Sequence, residues 1–425
     1  MSKTFFDGNS SWYLELFADL EKQLNGKAKS EIHIQRKTAI SRFIETGFPT
    51  TKEEEWKYTN IREIAEINFR PATVLPAIDD LNEKIGAKSI AGDNAYRVVF
   101  INGMFTPDLS ILPKTEGEIE IMPLSQAFDQ HPLEILSYLT MKHEPEEAGF
   151  TDLNTAFVND GVFVRIPASK MPERPVELIY ATYQPDSHLL VQPRTIIVAG
   201  SGCQVKIIEN YIDFEENISL INAVTSVHLE KQARVDYYRI QNQTTKSYHL
   251  GTVKVEQQRD SVFTNYSVSF GAKIARNNIT ALMGDENIEC HLYGLYVGDG
   301  KQHIDNHTTI DHANPHCHSN ELYKGILGDS ARGVFNGKIF VRKDAQKTNA
   351  IQSNNCILLS KDATIDSKPQ LEIFADDVRC THGATVGQLD ENAYFYLRSR
   401  GIDKEKARNL LVYAFASEIK RRARS

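Results

Sequence analysis

Cys380 and His382 are the two side chains of this sequence best suited to metal chemistry. They stand two positions apart in the segment RCTHGATVG, and alternation along a strand places such residues on the same face. A thiolate and an imidazole together suit iron or zinc better than magnesium or calcium. We therefore predict a metal or cluster contact here. The structural alternative is a small buried thiol beside a hydrogen-bonded histidine.

A second group of potential ligands lies between positions 303 and 318. It consists of His303, His307, His312, His316, His318, Asp305, Asp311 and Cys317. On one continuous strand, His303 and His307 would share a face and the other histidines would share the opposite one. No spacing matches a known motif such as H-E-x-x-H. Two interpretations stay open: the metal site of a stand-alone enzyme, or imidazoles that form hydrogen bonds along the strands.

The five cysteines argue against a self-contained cluster site. Cys203, Cys290, Cys317, Cys356 and Cys380 stand far apart, without a CxxC pair and in odd number. This pattern is not a disulfide framework, and it lacks the four grouped thiolates that hold an iron-sulfur cluster. Any cluster would need ligands from another chain.

Motifs for nucleotide binding and nucleophilic catalysis are also missing from the sequence. The segment GVFNGK has the wrong spacing for a phosphate-binding loop, and no G-x-S-x-G elbow occurs. We therefore predict that the chain is not an enzyme and binds no ATP itself.

The spacing of apolar residues changes along the chain, and this change marks the helices and strands that position Cys380 and His382. Residues 1–95 show helical spacing of apolar side chains and predict an N-terminal helical region. Residues 96–386 read as many short strands rich in Val, Ile, Tyr, Phe and Thr, with a helical insertion near residues 131–155. Such a mainly β body is compatible with a sandwich pair, a barrel or a parallel solenoid, and a solenoid would be irregular because no strict short repeat occurs.

Residues 387–425 predict two C-terminal helices. Asp390 is placed to cap a short helix that ends before Gly401, and Asp403 is placed to cap the last one. Apolar residues form one stripe on this last helix: Ala407, Leu410, Leu411, Ala414, Phe415 and Ile419. We expect that either the body of the protein or a partner covers this stripe.

Composition and charge narrow the class of protein. The net charge of −8 argues against nucleic-acid binding, which depends on clustered Lys and Arg. No apolar run approaches the roughly 20 residues that span a bilayer, and Asp7 and polar residues stand where a signal peptide would be apolar. We expect a cytoplasmic protein without membrane contact.

Several segments resemble the SufD proteins of the SUF iron-sulfur cluster assembly system. They are EEEWKYTNI near the start and FNGKI, KPQLEI, CTHGATVG, FYLRSRG and LLVYAFASEI in the last ninety residues. The resemblance implies a right-handed parallel β-helix between N-terminal and C-terminal helical regions. It also implies a heterodimer with the paralogue SufB and binding of the ABC-type ATPase SufC, which holds the ATP.

The resemblance also implies roles for individual residues. His382 with Cys380 would face SufB and position iron or a nascent cluster that both chains share. SufC would dock on the C-terminal helices, with candidate contacts at Tyr394, Leu397, Arg398, Leu410, Leu411, Ala414 and Phe415. Gly383 and Asn354 stand where SufB has a glutamate and a sulfur-accepting cysteine, which assigns sulfur acceptance to the partner. A purely structural role beside SufB, and a homodimer of the isolated chain through the same surface, remain alternatives.

Overall fold

Two long β-sheets, stacked face to face, form the body of the protein in the computed structural model. The structure describes residues 10–23, 30–77, 79–114, 117–139, 148–158, 160–183 and 188–422. About seven turns of a parallel β-solenoid are present, with helices at the N-terminal and C-terminal ends. The predicted mainly β class with flanking helices is therefore confirmed, and the sandwich and barrel alternatives are excluded.

The helices lie before, within and after the strand region. Their bounds are α1 Ser10–Gln23, α2 Glu31–Thr46, α3 Arg62–Ala65, α4 Leu81–Lys88, α5 Leu124–Gln130, α6 Pro132–Leu139, α7 Ala148–Ala156, α8 Glu391–Ser399 and α9 Lys404–Arg422. Two short 3-10 turns cover Glu54–Trp56 and Pro107–Leu109.

The strands run from β1 to β21 in chain order. Their bounds are β1 Arg70–Pro71, β2 Tyr96–Ile101, β3 Met104–Phe105, β4 Glu120–Pro123, β5 Val162–Ile166, β6 Val176–Thr182, β7 Leu189–Val191, β8 Arg194–Ala199, β9 Gln204–Asp213, β10 Ser219–Leu229, β11 Arg234–Asn242, β12 Tyr248–Gln257, β13 Val262–Ser269, β14 Ile274–Met283, β15 Glu289–Gly298, β16 His303–His312, β17 His318–Leu327, β18 Arg332–Val341, β19 Asn349–Leu358, β20 Thr364–Ile373 and β21 Arg379–Gly387.

From β8 onward, successive strands alternate between the two sheets, whereas the short strands β1 and β7 pair with each other in sheet I, where β7 also pairs with β10. Sheet I has the order β20-β18-β16-β14-β12-β10-β8-β5-β4, and sheet II has the order β21-β19-β17-β15-β13-β11-β9-β6-β2-β3. Each pair is parallel from β5 and β6 onward, so every coil adds one strand to each sheet. In the middle of sheet I the register advances by 29 residues per coil, from Ile274 to His303 to Arg332.

The main core lies between the sheets and is built from inward-facing apolar side chains of both. Aromatic rings are accommodated by glycines on neighbouring strands. Gly294 pairs with Tyr323, and Tyr296 pairs with Gly325, across β15 and β17. A Cβ atom on either glycine would collide with the ring beside it. These two positions therefore need glycine because of close packing, not because of backbone conformation.

The N-terminal helices cover part of the outer face of sheet I. Their aromatic side chains, among them Tyr13, Phe43 and Trp56, form a second buried cluster that includes Leu250 of β12 and Ile274 of β14. Ser30 caps α2, and Gly47 ends it in the left-handed region at φ 68°.

The solenoid ends in one open coil, which we call the terminal rung: β20 in sheet I and β21 in sheet II. Among the described residues, β20 pairs only with β18, and β21 pairs only with β19. Pro369 lies within β20 and has no backbone N–H to donate, as is typical of an edge strand.

No helix in the described part of the chain combines the length and the apolar character needed to cross a bilayer.

Candidate functional site

Cys380 and His382 lie on β21, the sheet II strand of the terminal rung. Cys380 pairs with Ala350, and His382 pairs with Gln352, both of which are buried positions of β19. Cys380 packs against the cluster formed by Ile339 and Ala350 from the two sheets, so its side chain points between them. By alternation, His382 lies on the same face one step further along the open end.

The surroundings of these two residues differ. Cys380 is half-buried, and burial raises the pKa of its thiol. It is a neutral thiol at neutral pH and must lose its proton to bind a metal. His382 is exposed, and a Cβ atom on Gly383 would meet no atom within 4 Å. The terminal rung therefore offers one exposed imidazole and one half-buried thiol.

A buried polar pair lies behind His382 in the interior of sheet II. Nε2 of Gln352 donates a hydrogen bond of 2.7 Å to Oε2 of Glu321, the residue that pairs with Gln352 on β17. Burial raises the pKa of Glu321 to about 7. Neither residue was predicted from the sequence. Each is a polar residue at an inward-facing position of its strand.

The other four cysteines are buried. Burial raises the pKa of Cys356 to about 12, which makes it a neutral and poorly nucleophilic thiol at neutral pH. Asn354, two residues before it, is also buried and accepts a hydrogen bond of 3.1 Å from the hydroxyl of Tyr296. Both side chains therefore belong to the packed interior of the solenoid.

The histidine-rich segment is dispersed over several environments. Thr59 Oγ1 lies 2.8 Å from Nε2 of His303, and His307 lies between Glu55 and Asp305, at 3.1 Å and 2.9 Å. Both partners Thr59 and Glu55 come from the N-terminal segment. Burial lowers the pKa of His303. These two imidazoles therefore fasten the N-terminal segment to sheet I.

The remaining histidines of this segment do not share one strand face. His312 lies inside the solenoid, 2.9 Å from Ser319 Oγ, and burial lowers its pKa to about 4. His316 occupies a turn at φ 60°, and His318 begins β17 in the other sheet. Across the described ranges, no three His, Cys, Asp or Glu side chains are arranged to hold a metal ion.

Helices α8 and α9 form a hairpin on the outer face of sheet II. Asp390 accepts hydrogen bonds from the amides of Asn392 and Ala393, and Asp403 accepts one from the amide of Lys406, so both predicted caps are confirmed. Ala407 and Ile419 of the predicted stripe are buried.

The residues expected to contact SufC are only partly accessible. Tyr394, Leu397, Leu411 and Phe415 are half-buried, whereas Arg398, Leu410 and Ala414 are exposed. The largest exposed apolar side chains of the hairpin include three that were not among the predicted SufC contacts. Phe395 is 74% exposed, Tyr396 57% and Tyr413 58%, beside Leu410 at 49%. These four residues are called the exposed hairpin patch.

Comparison with known proteins places most of the chain in one family. A model described as the SUF system FeS cluster assembly SufBD core domain matches residues 182–415, and a model of the SufBD protein N-terminal region matches residues 8–178. An iron-sulfur cluster assembly SufBD family protein of Synechocystis sp. is 33% identical over 94% of this chain and 89% of its own length.

Two bacterial proteins named iron-sulfur cluster assembly protein SufD are also similar. The protein of Escherichia coli is 28% identical over 91% of this chain and 88% of its own length. The protein of Bacillus subtilis is 28% identical over 87% of this chain and 84% of its own length. The chain thus belongs to the SufBD family of the SUF iron-sulfur cluster assembly system.

Proposed function

We propose that this chain is a scaffold subunit that joins a SufB-type paralogue through its terminal rung and a SufC-type ATPase through α8 and α9. The observation that carries the proposal is the position of His382 and Cys380 on an open edge strand. In this proposal, the subunit helps to position iron or a nascent cluster at the interface with the paralogue. The subunit is not catalytic, and the ATP is bound by SufC.

Two ligands on one strand favour a shared site. An iron atom in a cluster takes thiolate or imidazole ligands, and a typical cluster uses four protein side chains. Cys380 and His382 supply at most two of them, and in this proposal the paralogue supplies the others. The cluster is cargo and has to be released. A site whose ligands come from two chains allows this release when the chains separate.

The edge strand supports pairing with a second solenoid. The outer edge of β21 presents backbone N–H and C=O groups that no described strand pairs. Addition of a partner strand would satisfy these groups and bring the partner's side chains opposite His382. The same surface can serve a homodimer when the paralogue is missing.

The exposed hairpin patch supports docking of the ATPase. Three aromatic side chains and one leucine project from two packed helices, in the manner of helix-in-groove recognition. Five free cysteines suit a reducing compartment, and we place the complex in the cytoplasm.

His382→Ala in the complex with SufB and SufC tests the proposed site. We expect the complex to keep its composition in size-exclusion chromatography, while the yield of cluster measured by visible absorption falls about tenfold, as for loss of a metal-site residue. His318→Ala is the matched control, because His318 is an exposed histidine of the same sheet. Cys380→Ala tests the second ligand.

An unchanged yield in His382→Ala would refute the ligand role and leave a purely structural partner. Comparison of SufB and SufC with and without this chain then shows whether the chain affects metal content at all. Stoichiometric metal bound by the isolated chain would instead favour a stand-alone metal protein.

A further inference from the structure

Lys324 attaches α9 to the solenoid through a buried charge. It lies on β17, and its side chain is only 7% exposed. Its Nζ lies 2.5 Å from Oε2 of Glu418 and donates a hydrogen bond of 3.0 Å to the carbonyl oxygen of Phe415. The same ammonium lies 4.2 Å from the centre of the Phe415 ring. One lysine thus holds two residues of α9 by three kinds of contact.

Apolar and backbone contacts fix the C-terminal half of α9 near this lysine. Ile419 is buried against Tyr266, Tyr293 and Leu322 on the outer face of sheet II. The hydroxyl of Tyr266 donates to the carbonyl oxygen of Arg422 at 2.7 Å. By contrast, α8 contains no buried residue within its described span. In the N-terminal half of α9, Ala407 is buried and Arg408 donates a hydrogen bond of 3.0 Å to the carbonyl oxygen of Leu359. The hairpin is therefore attached to the solenoid through α9, and α8 contributes Phe395 and Tyr396 to the exposed hairpin patch.

A column of outward-facing residues connects Lys324 to the terminal rung. Lys324 pairs in register with Asn355 of β19, and Asn355 pairs with Thr385 of β21. The hydroxyl of Thr385 donates to Oδ1 of Asn355 at 2.7 Å. Thr385 lies three residues from His382 on the same strand. Paired backbone and one side-chain hydrogen bond therefore form a continuous path from Lys324 on β17 to β21.

We propose that Lys324 is a positioning residue that transmits movement of the α8–α9 hairpin to the strand carrying Cys380 and His382. The inference rests on the proposed function, in which SufC docks on the exposed hairpin patch. An ATP-driven change in SufC shifts the hairpin, and the buried ammonium prevents α9 from sliding over sheet II. A buried charge that loses its partner is costly, so the helix and β17 move together.

The test uses the complete complex with SufB and SufC, with and without ATP. Lys324→Met keeps the length and apolar stem of the side chain and removes the ammonium. Amide hydrogen exchange of residues 379–387 reports the ATP-dependent change at β21. We expect the ATP-dependent change in exchange to be at least about fivefold smaller in Lys324→Met than in the wild-type complex. A factor of about five is the lower end of the coupling usually found between two sites. Glu418→Gln should also make the ATP-dependent change in exchange smaller than in the wild-type complex.

Lys338→Met is the matched control. Lys338 also lies on an outward strand face, 2.8 Å from the carboxylate of Glu372 and 5.9 Å from the centre of the Phe340 ring, but on sheet I. The control should keep the ATP-dependent change. Equal effects of the two substitutions, or no effect of Lys324→Met, would overturn the inference.

Binding of SufC separates this inference from the proposed function. Lys324→Met should bind SufC with unchanged affinity, because the lysine is covered by α9. A loss of binding would overturn the inference, since Lys324 would then determine docking and not transmission. Failure of the wild-type chain itself to bind SufC would refute the proposed function.

Discussion

The carboxylate of Glu55 lies 3.1 Å from Nδ1 of His307, and the other ring nitrogen lies 2.9 Å from Oδ1 of Asp305. The first residue belongs to the segment EEEWKYTNI and the other two to β16. Both imidazole nitrogens face carboxylates, so the ring of His307 bridges two acidic side chains. Arg276 completes the group with a 2.7 Å contact to Oδ2 of Asp305 and stacks at 3.8 Å over Trp56. The N-terminal segment is thus attached to the solenoid by buried charges.

Loss of Arg276 should destabilise the fold strongly. Asp305 is fully buried, and the charges of His307 and Arg276 outweigh the effect of burial and hold its pKa well below the usual range. Arg276→Met would leave this carboxylate short of positive charge, and we expect the free energy of unfolding to fall by about 3–5 kcal/mol in urea denaturation. Arg332→Met, which breaks the exposed pair with Asp366, should cost less than about 1 kcal/mol. Equal losses would contradict this account.

Glu321 should make stability depend on pH in a direction opposite to most carboxylates. Its folded pKa of about 7 lies above the value of about 4.3 expected when unfolded. Between these values the folded state holds a proton that the unfolded state has released, so the stability that Glu321 contributes falls as pH rises through this window.

Glu321→Gln removes this titration and should be close to wild type at pH 5. At pH 8 it should be the more stable protein, by up to about 3 kcal/mol at 1.36 kcal/mol per pKa unit. Urea unfolding at both pH values measures the difference. Glu289→Gln, at an exposed carboxylate of sheet II, serves as control and should show no such change. Parallel pH profiles of wild type and Glu321→Gln would refute the prediction.

Cys380 should react first with a thiol reagent. It is half-buried, whereas Cys203, Cys290, Cys317 and Cys356 are buried. Mass spectrometry after brief treatment of the native chain with iodoacetamide should find Cys380 modified before the others, and all five should react in denaturant. Addition of SufB should protect Cys380 if the terminal rung is the interface. Preferential labelling of Cys356 would disagree with the structure.

Gly294→Ala should destabilise the solenoid, whereas Gly383→Ala should not. The added methyl group would collide with the buried ring of Tyr323 in the first case and meet no atom within 4 Å in the second. Overpacking of this kind costs about 1–3 kcal/mol. Thermal unfolding of the two variants gives the comparison, and a similar melting temperature for both would show that the ring can move aside.

Local patterns predicted much of what lies close in sequence. The caps at Asp390 and Asp403 were predicted correctly, because each depends on a few neighbouring residues. The strand predicted to carry Cys380 and His382 is also present, as β21, and alternation along it places both residues on one face.

Contacts between distant segments left no local signal. His303 and His307 looked like candidate ligands because their partners Thr59 and Glu55 are more than 240 residues away. The register step of 29 residues was equally invisible, since it is a property of coil length and not of a repeated motif. For the same reason, the sequence did not reveal that β21 forms an open edge.

The proline in β20 makes the two edges of the terminal rung unequal. An incoming strand can form an uninterrupted hydrogen-bond ladder with β21, but Pro369 interrupts the one along β20. In the proposed complex, this difference favours pairing of the neighbouring subunit with the sheet that contains Cys380 and His382. Where this chain is synthesised in excess over such a neighbour, we expect the unpaired edge of β21 to promote self-association, so that balanced production of both polypeptides would preserve its solubility.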